Sequence, residues 1–271
     1  MGEVIVVASG KGGVGKTTTC ANLGAALSLA GQQVLLVDMD MGLRNLDIAL
    51  GLESSIVYDV IDVVEETCTL EQATIKDQKF ENLYFIPAAQ TRDDSCLEKE
   101  QMKAFCERVS ARFDYVLLDA PAGLGRGLAN AAAGAGRAII VTMPEMPALR
   151  DADRAVSFLE EEGVGQIDLV VNRIRPDLMQ RGVQMNLDDC LDILQINLLG
   201  VIPEDELLLV AAVRGEPVTG DFVKSAKAYS NICARLLGQD IPIMEMDEKQ
   251  GFWERLKQRF GKKKNYKEGL H

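Results

Sequence analysis

The sequence predicts a doubly wound α/β fold: one mostly parallel sheet with helices on both faces. Short apolar segments alternate with longer segments of helical periodicity along the chain. The short segments are apolar throughout instead of at every second residue, which is typical of strands buried on both faces of a parallel sheet. With 271 residues, 47% of them hydrophobic and 26% charged, the chain can form such a core, and this composition excludes a disordered or collagen-like protein.

The elements follow one another in a regular order. Seven buried strands are predicted at residues 4–8, 34–37, 83–86, 115–118, 138–142, 167–171 and 198–202. Helices are predicted at 17–30, 97–111, 149–162, 187–194 and 221–237. Strand and helix alternation predicts a single α/β domain over residues 1–239. A flexible linker over 240–250, an amphipathic helix over 251–264 and a disordered end over 265–271 are expected to follow.

Charge is distributed unevenly along the chain. Lys and Arg number 29 against 41 Asp and Glu, for a net charge of -12, but residues 249–271 hold eight basic and two acidic side chains. This end therefore carries +6 and the preceding 248 residues carry -18. Such asymmetry indicates that the end contacts a polyanionic surface. The acidic body argues against DNA, so no nucleic acid partner is expected.

Histidine and cysteine usage narrows the chemistry. The only histidine is His271, which excludes His-dependent catalytic triads and His-rich metal sites in the predicted domain. The six cysteines form no C-x-x-C pair, which indicates reduced thiols and disfavours an iron-sulfur carrier. No secretory signal is apparent, and no apolar run reaches the roughly 18 residues of a membrane span. A cytoplasmic protein is expected.

The strongest motif is GKGGVGKT at residues 10–17, a full match to G-x-x-x-x-G-K-[ST]. It lies between a predicted strand and a predicted helix, where backbone N–H groups and the helix dipole can hold phosphate groups. Lys16 is predicted to reach the β and γ phosphates, and Thr17 to bind Mg²⁺ through its hydroxyl. The predicted nucleotide-binding residues of this loop are Gly10, Lys11, Gly12, Gly13, Val14, Gly15, Lys16, Thr17 and Thr18.

Acidic residues end two of the predicted strands. Asp38 and Asp40 follow strand 34–37, and Asp119 follows strand 115–118. Ligands of open α/β sheets bind at the carboxyl ends of the strands, and carboxylates are oxygen ligands suited to Mg²⁺. Thr17, Asp38 and Asp119 are therefore the predicted metal site, with Asp119 acting through a coordinated water. Asp38 or Asp40 is predicted to orient the attacking water.

Further motifs carry a resemblance to a known family. With the extra Lys11, the loop resembles the deviant Walker A group of ATPases, in which this lysine reaches the nucleotide of a partner subunit. Residues 38–47 (DMDMGLRNLD), 119–123 (DAPAG), 144–154 (PEMPALRDADR) and 201–205 (VIPED) resemble the MinD family of bacterial septum-site-determining ATPases.

The resemblance implies ATP and Mg²⁺ as ligands, with Lys11, Lys16, Asp40 and Asp119 as the catalytic residues. It implies an ATP-dependent homodimer, a MinC-like division inhibitor and a MinE-like activator. Adenine would be enclosed by Asn172, Arg173, Pro203, Glu204 and Asp205. The inhibitor and activator would bind a helix that carries Arg150, Asp151 and Asp153. In the segment after Asp119, which the resemblance implies is a second nucleotide-dependent switch, Ala120 and Gly125 depart from the family pattern, and they are expected to lower or retune stimulated hydrolysis.

The pattern of apolar and basic residues in the C-terminal segment predicts a membrane-binding helix. On a helical wheel Phe252, Trp253, Leu256 and Phe260 fall within one narrow arc, and charged or polar residues occupy the rest. A basic interfacial helix of this kind is expected to bind anionic phospholipid reversibly, and the resemblance implies that it does so on the cytoplasmic face of the inner membrane. A helix that docks on the protein body is the alternative.

Three other functions stay open at this point. A plasmid or chromosome partition ATPase shares the loop but would bind DNA. A flagellar-number ATPase also has a basic terminal helix, although residues 43–47 and 121–123 favour the MinD family. A nucleotide-dependent scaffold with little hydrolysis is compatible with the altered second switch.

Overall fold

The computed structural model describes residues 1–220 and 222–243 of the chain. Within these ranges eight strands form one sheet. They are β1 (Glu3–Ala8), β2 (Val34–Asp38), β3 (Ile75–Lys76), β4 (Leu83–Ile86), β5 (Tyr115–Asp119), β6 (Arg137–Thr142), β7 (Gln166–Ile174) and β8 (Asn197–Pro203). The spatial order is β3-β4-β2-β5-β1-β6-β7-β8. All neighbours pair in parallel except β3 and β4, which confirms the predicted fold class.

Eleven α-helices connect and cover the strands in the described ranges. They are α1 (Lys16–Leu29), α2 (Leu46–Leu50), α3 (Val60–Val64), α4 (Leu70–Ala73), α5 (Lys99–Ser110), α6 (Arg126–Ala132), α7 (Met146–Glu161), α8 (Pro176–Gln180), α9 (Leu187–Leu194), α10 (Glu206–Val213) and α11 (Lys224–Leu236). Helix α7 begins three residues earlier than predicted because Pro147 lies in its first turn, where a missing N–H costs no helical hydrogen bond.

The core consists of two apolar layers, one on each face of the sheet. One layer packs strand side chains against α3, α5, α6, α7 and α9, and the other packs them against α1 and α11. In β2 and β5 successive side chains therefore enter opposite layers, and nearly all are fully buried. This double burial explains why the strands are apolar throughout.

The sheet register brings the acidic strand ends together. Asp38 of β2 lies directly opposite Asp119 of β5, and Asp119 lies opposite Val7 of β1. Because β1 continues into residues 9–15, the phosphate-loop motif lies at the same edge of the sheet as both carboxylates.

Among residues 1–220 and 222–243, none of the helices combines the length and the apolar composition that a bilayer span requires. The amphipathic helix predicted at 251–264, with Phe252, Trp253, Leu256 and Phe260, lies outside the described residues. So do most of the predicted linker and the end at 265–271, and these assignments stay predictions.

Candidate functional site

The loop between β1 and α1 is shaped to accept an anion. Gly13 and Gly15 have φ of 80° and 94°, a left-handed conformation that glycine adopts without steric cost. Helix α1 has no side-chain cap and no acidic residue in its first turn. Its positive dipole end and backbone N–H groups are therefore available to phosphate oxygens.

The loop is held between α7 and β7 by close contacts with the backbone of α7 and with a side chain of β7. A Cβ atom at Gly10 would lie 1.9 Å from the carbonyl oxygen of Asp151, and one at Gly15 would lie 2.3 Å from Nδ2 of Asn172. Asn172 also donates a hydrogen bond from Nδ2 to the carbonyl oxygen of Val14, at 2.8 Å. Only glycine fits at both positions, so packing against these two elements determines the shape of the loop.

Lys16 and Asp119 form a buried ion pair at the base of the loop. Lys16 Nζ lies 2.7 Å from Asp119 Oδ1, and the two side chains are 7% and 0% exposed. The parallel pairing of β1 with β5 brings them together across 103 positions of sequence. Asp119 therefore neutralises the charge of Lys16 and holds its side chain in place.

Asp119 has a second carboxylate oxygen that fits a cation. Oδ2 is buried and has no hydrogen-bond partner among the described residues, which is an unfavourable state for a charged oxygen. Mg²⁺ prefers oxygen ligands and keeps several waters, so an oxygen of this kind, with the Thr17 hydroxyl in the first turn of α1, suits it chemically. The residues present therefore fit the predicted ion.

Asp38 organises the turn that carries Asp40. Its Oδ1 accepts a hydrogen bond from the Asp40 N–H at 2.9 Å, and its Oδ2 accepts one from the Leu46 N–H at 3.1 Å. Burial, together with the nearby Asp119, raises the pKa of Asp38 to about 7. Both oxygens of Asp38 hold the 39–46 turn, and its predicted role as a metal ligand stays a prediction.

Asp40, two residues after β2, is more accessible than Asp38, the last residue of that strand. It is half-buried, and burial raises its pKa, an effect that the nearby Lys16 opposes and Asp119 reinforces. A carboxylate beside the loop lysine is suited to accept a hydrogen bond from a water.

A cleft of about 170 Å³ lies beside the loop, between β7 and α10. It contains all five residues predicted to enclose adenine and two residues of the loop, and α10 adds three apolar side chains that the sequence did not predict. The lining residues are Gly15, Thr18, Asn172, Arg173, Pro203, Glu204, Asp205, Leu208, Leu209 and Ala212. Apolar walls with a few polar groups are typical of a site for a planar heterocycle.

The α10 residues had a detectable signal in the sequence. Asp205 caps α10 by accepting a hydrogen bond from the Leu207 N–H at 3.0 Å, and an acidic N-cap before an apolar run is a helix start. Its other oxygen accepts bonds from the Ser225 N–H and hydroxyl, at 3.1 and 2.8 Å. Asp205 therefore links the start of α10 to the start of α11.

The segment after Asp119 carries the departures noted in the sequence. The Ala120 N–H donates to the Val7 carbonyl oxygen at 3.1 Å, and the Ala120 side chain is fully buried. Gly125 has extended backbone, and a Cβ atom added there would meet no atom of the described residues within 4 Å. Arg126, which follows it, lies 2.7 Å from Glu98 Oε1. A side chain at position 125 can therefore be introduced without a steric clash at its Cβ.

The charged residues predicted for partner binding lie on α7, and Lys11 lies on the loop beside it. Arg150 and Asp153 are exposed, whereas Asp151 is half-buried and lies 3.9 Å from Arg154. Lys11 is exposed, and its carbonyl oxygen accepts a hydrogen bond from the Ser9 hydroxyl at 3.0 Å. Since Gly10 packs on the Asp151 backbone, α7 and the loop are in direct contact.

Comparison with known proteins agrees with this geometry. Residues 2–162 match the family described as AAA domain. The septum site-determining protein MinD of Bacillus subtilis strain 168 is 48% identical over 265 residues, covering 96% of this chain and 99% of the relative.

Two solved structures are similar in fold as well as sequence. The MinC:MinD cell division protein complex of Aquifex aeolicus contains a chain of 40% identity and TM-score 0.83, with 90% of this chain and 98% of that chain covered. The septum site-determining protein MinD of Pyrococcus horikoshii OT3, complexed with Mg-ADP, is 29% identical with TM-score 0.78, with 89% and 100% covered.

Proposed function

Since the chain belongs to the MinD family of septum-site-determining ATPases, we propose that it hydrolyses ATP with Mg²⁺ and cycles between the cytoplasm and the membrane. ATP drives dimerisation, the dimer binds the cytoplasmic face of the inner membrane through residues 251–264, and there it recruits a MinC-like inhibitor of septation. ATP hydrolysis, stimulated by a MinE-like activator, releases the protein from the membrane. The observation that carries the proposal is the buried Lys16–Asp119 pair at the base of a complete phosphate loop.

The loop binds the triphosphate by replacing one negative partner of Lys16 with another. Asp119 neutralises the Lys16 ammonium at 2.7 Å. Phosphate oxygens entering the loop offer charge-assisted hydrogen bonds to the same ammonium and to the N–H groups of the loop. Lys16 is therefore positioned in a largely water-free site before substrate arrives, and little reorganisation is needed.

Mg²⁺ would be held by the Thr17 hydroxyl and, through water, by Oδ2 of Asp119, which has no partner among the described residues. When bound, the ion neutralises charge on the phosphates and helps to align them. The MinD of Pyrococcus horikoshii was solved as a complex with Mg-ADP, which supports the same ligands for this chain.

Asp40 is the residue best situated to orient the attacking water. Its carboxylate is half-buried, close enough to Lys16 and Asp119 to interact with both, and Asp38 holds its turn by two backbone hydrogen bonds. Phosphoryl transfer needs positioning more than a covalent nucleophile, so a rigidly held carboxylate suffices.

The dimer and partner roles rest on exposed residues. Lys11 is exposed at the tip of the loop, where it can reach the nucleotide of a second subunit. Arg150, Asp151 and Asp153 on α7 form the proposed docking site for the inhibitor and the activator; a MinC:MinD complex is known for Aquifex aeolicus. The loop contacts α7 through Gly10, so partner binding and nucleotide state can influence each other.

ATP turnover and dimerisation test the proposal together. The parent protein should hydrolyse ATP slowly with Mg²⁺ and show twice the monomer mass by light scattering with a non-hydrolysable ATP analogue. Lys16→Ala should lose hydrolysis, and Lys11→Ala should bind ATP but stay monomeric. If Lys16→Ala hydrolyses ATP like the parent, or Lys11→Ala dimerises normally, the assignment of these lysines is wrong.

A further inference from the structure

Apart from its first residue, Glu206, helix α10 is apolar, yet none of its residues is buried. Leu207, Val210 and Val213 are 55%, 46% and 89% exposed. At about 100° per residue these three fall within an arc of about 120°. We refer to them as the outer face of α10. A contiguous exposed apolar surface of this kind marks an interaction site.

The outer face lies opposite the side of α10 that borders the nucleotide cleft. Leu208 and Ala212 line the cleft and fall on the other side of the helical wheel. Glu206, the first residue of α10, is exposed and falls within the same arc. A partner with an apolar stripe and basic flanks would match both the apolar surface and this acid.

The chain itself contains such a segment. Residues 252–260 place four large apolar side chains on one arc of a helical wheel, and the net charge of residues 249–271 is +6. The preceding part of the chain carries -18, so the body attracts this segment. The segment therefore has both the apolar stripe and the basic charge that would complement the outer face.

The segment can reach α10 from where the described chain ends. The Arg235 guanidinium donates to the carbonyl oxygens of Ile241, Pro242 and Leu199, at 2.8, 2.7 and 2.7 Å, which holds the end of the described chain near the start of β8. From Leu199 to the start of α10 is seven residues, or roughly 23–25 Å at full extension. Residues 244–251 can span about 26–29 Å.

We propose that residues 252–260 dock on the outer face of α10 in the protein free of lipid. The inference rests on the proposed function, because the docked side chains are those assigned to membrane insertion. Docking keeps them out of water between rounds of membrane binding, and lipid competes with α10 for the same apolar arc.

Trp253 reports docking directly, because it is the only tryptophan of the chain. The full-length protein, without lipid or nucleotide, is examined by Trp emission and acrylamide quenching as parent and as Val213→Lys. The substitution removes an apolar contact and repels the basic segment, so it should weaken docking roughly tenfold or more. Emission should shift to longer wavelength and quenching should increase.

Val183→Lys is the matched control. Val183 is 63% exposed and belongs to the turn after α8, not to α10, so the same substitution should leave Trp253 unchanged. Far-UV circular dichroism should show all three proteins equally folded, since both valines are exposed.

The remaining outcomes each decide the question. If Trp253 of the parent is as accessible as a free tryptophan derivative, or Val213→Lys leaves it unchanged, the docking proposal is overturned. If Val213→Lys alters the sedimentation coefficient while Trp253 does not respond, the outer face binds a second copy and the proposal is also overturned.

Anionic phosphatidylglycerol vesicles separate this inference from the proposed function. A shift of Trp253 emission to shorter wavelength with ATP and vesicles, in parent and Val213→Lys alike, supports membrane insertion. If docking on α10 competes with lipid, the emission of Val213→Lys should shift at a lower lipid concentration than that of the parent. Loss of the lipid response in both proteins would refute the membrane role while leaving the lipid-free docking result standing.

Discussion

Replacing Lys16 with methionine should destabilise the nucleotide-free protein severely, although methionine preserves most of the side-chain volume. The Lys16–Asp119 pair is 2.7 Å long with side chains 7% and 0% exposed. Removing the lysine leaves a buried carboxylate whose other oxygen already lacks a hydrogen-bond partner among the described residues. Breaking a buried pair from one side costs about 3–5 kcal/mol of the free energy of unfolding, far above the effect of an ordinary surface substitution.

The assay is urea unfolding followed by far-UV circular dichroism, with EDTA and without nucleotide. Lys103→Met, on the exposed side of α5, is the matched control and should stay within about 0.5 kcal/mol of the parent. Adding Asp119→Asn to Lys16→Met should recover much of the lost stability, because it removes the uncompensated charge. A loss below about 1 kcal/mol for Lys16→Met, or a further loss in the double variant, would refute the buried-pair reasoning.

The loop, the segment after β5 and the end of β2 each give one further prediction. Gly10→Ala should weaken ATP binding more than tenfold by calorimetry, because its Cβ would lie 1.9 Å from the Asp151 carbonyl oxygen. Gly12→Ala, whose Cβ would have its nearest contact at 3.8 Å, is the control and should retain binding. Equal ATP affinities of the two variants would contradict the role of Gly10. Gly125→Glu, whose Cβ would clash with none of the described residues, should change the rate of stimulated single-turnover hydrolysis without changing ATP affinity. Identical rates in parent and variant would contradict a role of position 125 in hydrolysis. The raised pKa of Asp38, about 7, means that the folded state holds this proton more tightly than the unfolded chain, so the contribution of Asp38 to the free energy of unfolding should fall as pH rises from about 4 to about 7. Asp38→Asn should flatten that fall in urea titrations, and an unchanged slope would contradict the assignment.

Local patterns predicted most of the fold because the longer strands are largely buried on both faces. All seven predicted strands are present, and the strand-loop-helix context of residues 10–17 is the one that the motif requires. Strand β3 was missed because Ile75–Lys76 is only two residues long, too short to show any periodicity. The order of the strands is a property of long-range pairing that no local pattern contains.

The residues of the candidate site were also predicted where their signal is local and missed where it is long-range. The loop glycines and the acids at strand ends carry local signals, so the sequence predicts them. The Lys16–Asp119 contact joins residues 103 positions apart, and it exists only because β1 and β5 are neighbours. Helix α10 escaped prediction because residues 206–213 are almost uniformly apolar and so show no amphipathic period; its N-cap Asp205 was the available signal.

Cosedimentation of the full-length protein with anionic liposomes tests the central claim most directly, since nucleotide binding, dimerisation and the C-terminal segment must all act together. Pairing two membrane segments in one dimer can raise apparent affinity roughly 10²–10⁴-fold over a single segment. The protein should therefore pellet with liposomes in ATP and Mg²⁺, stay in the supernatant in ADP, and lose pelleting in Trp253→Glu while still dimerising. Pelleting that is equal in ATP and ADP, or absent in both, would contradict the account.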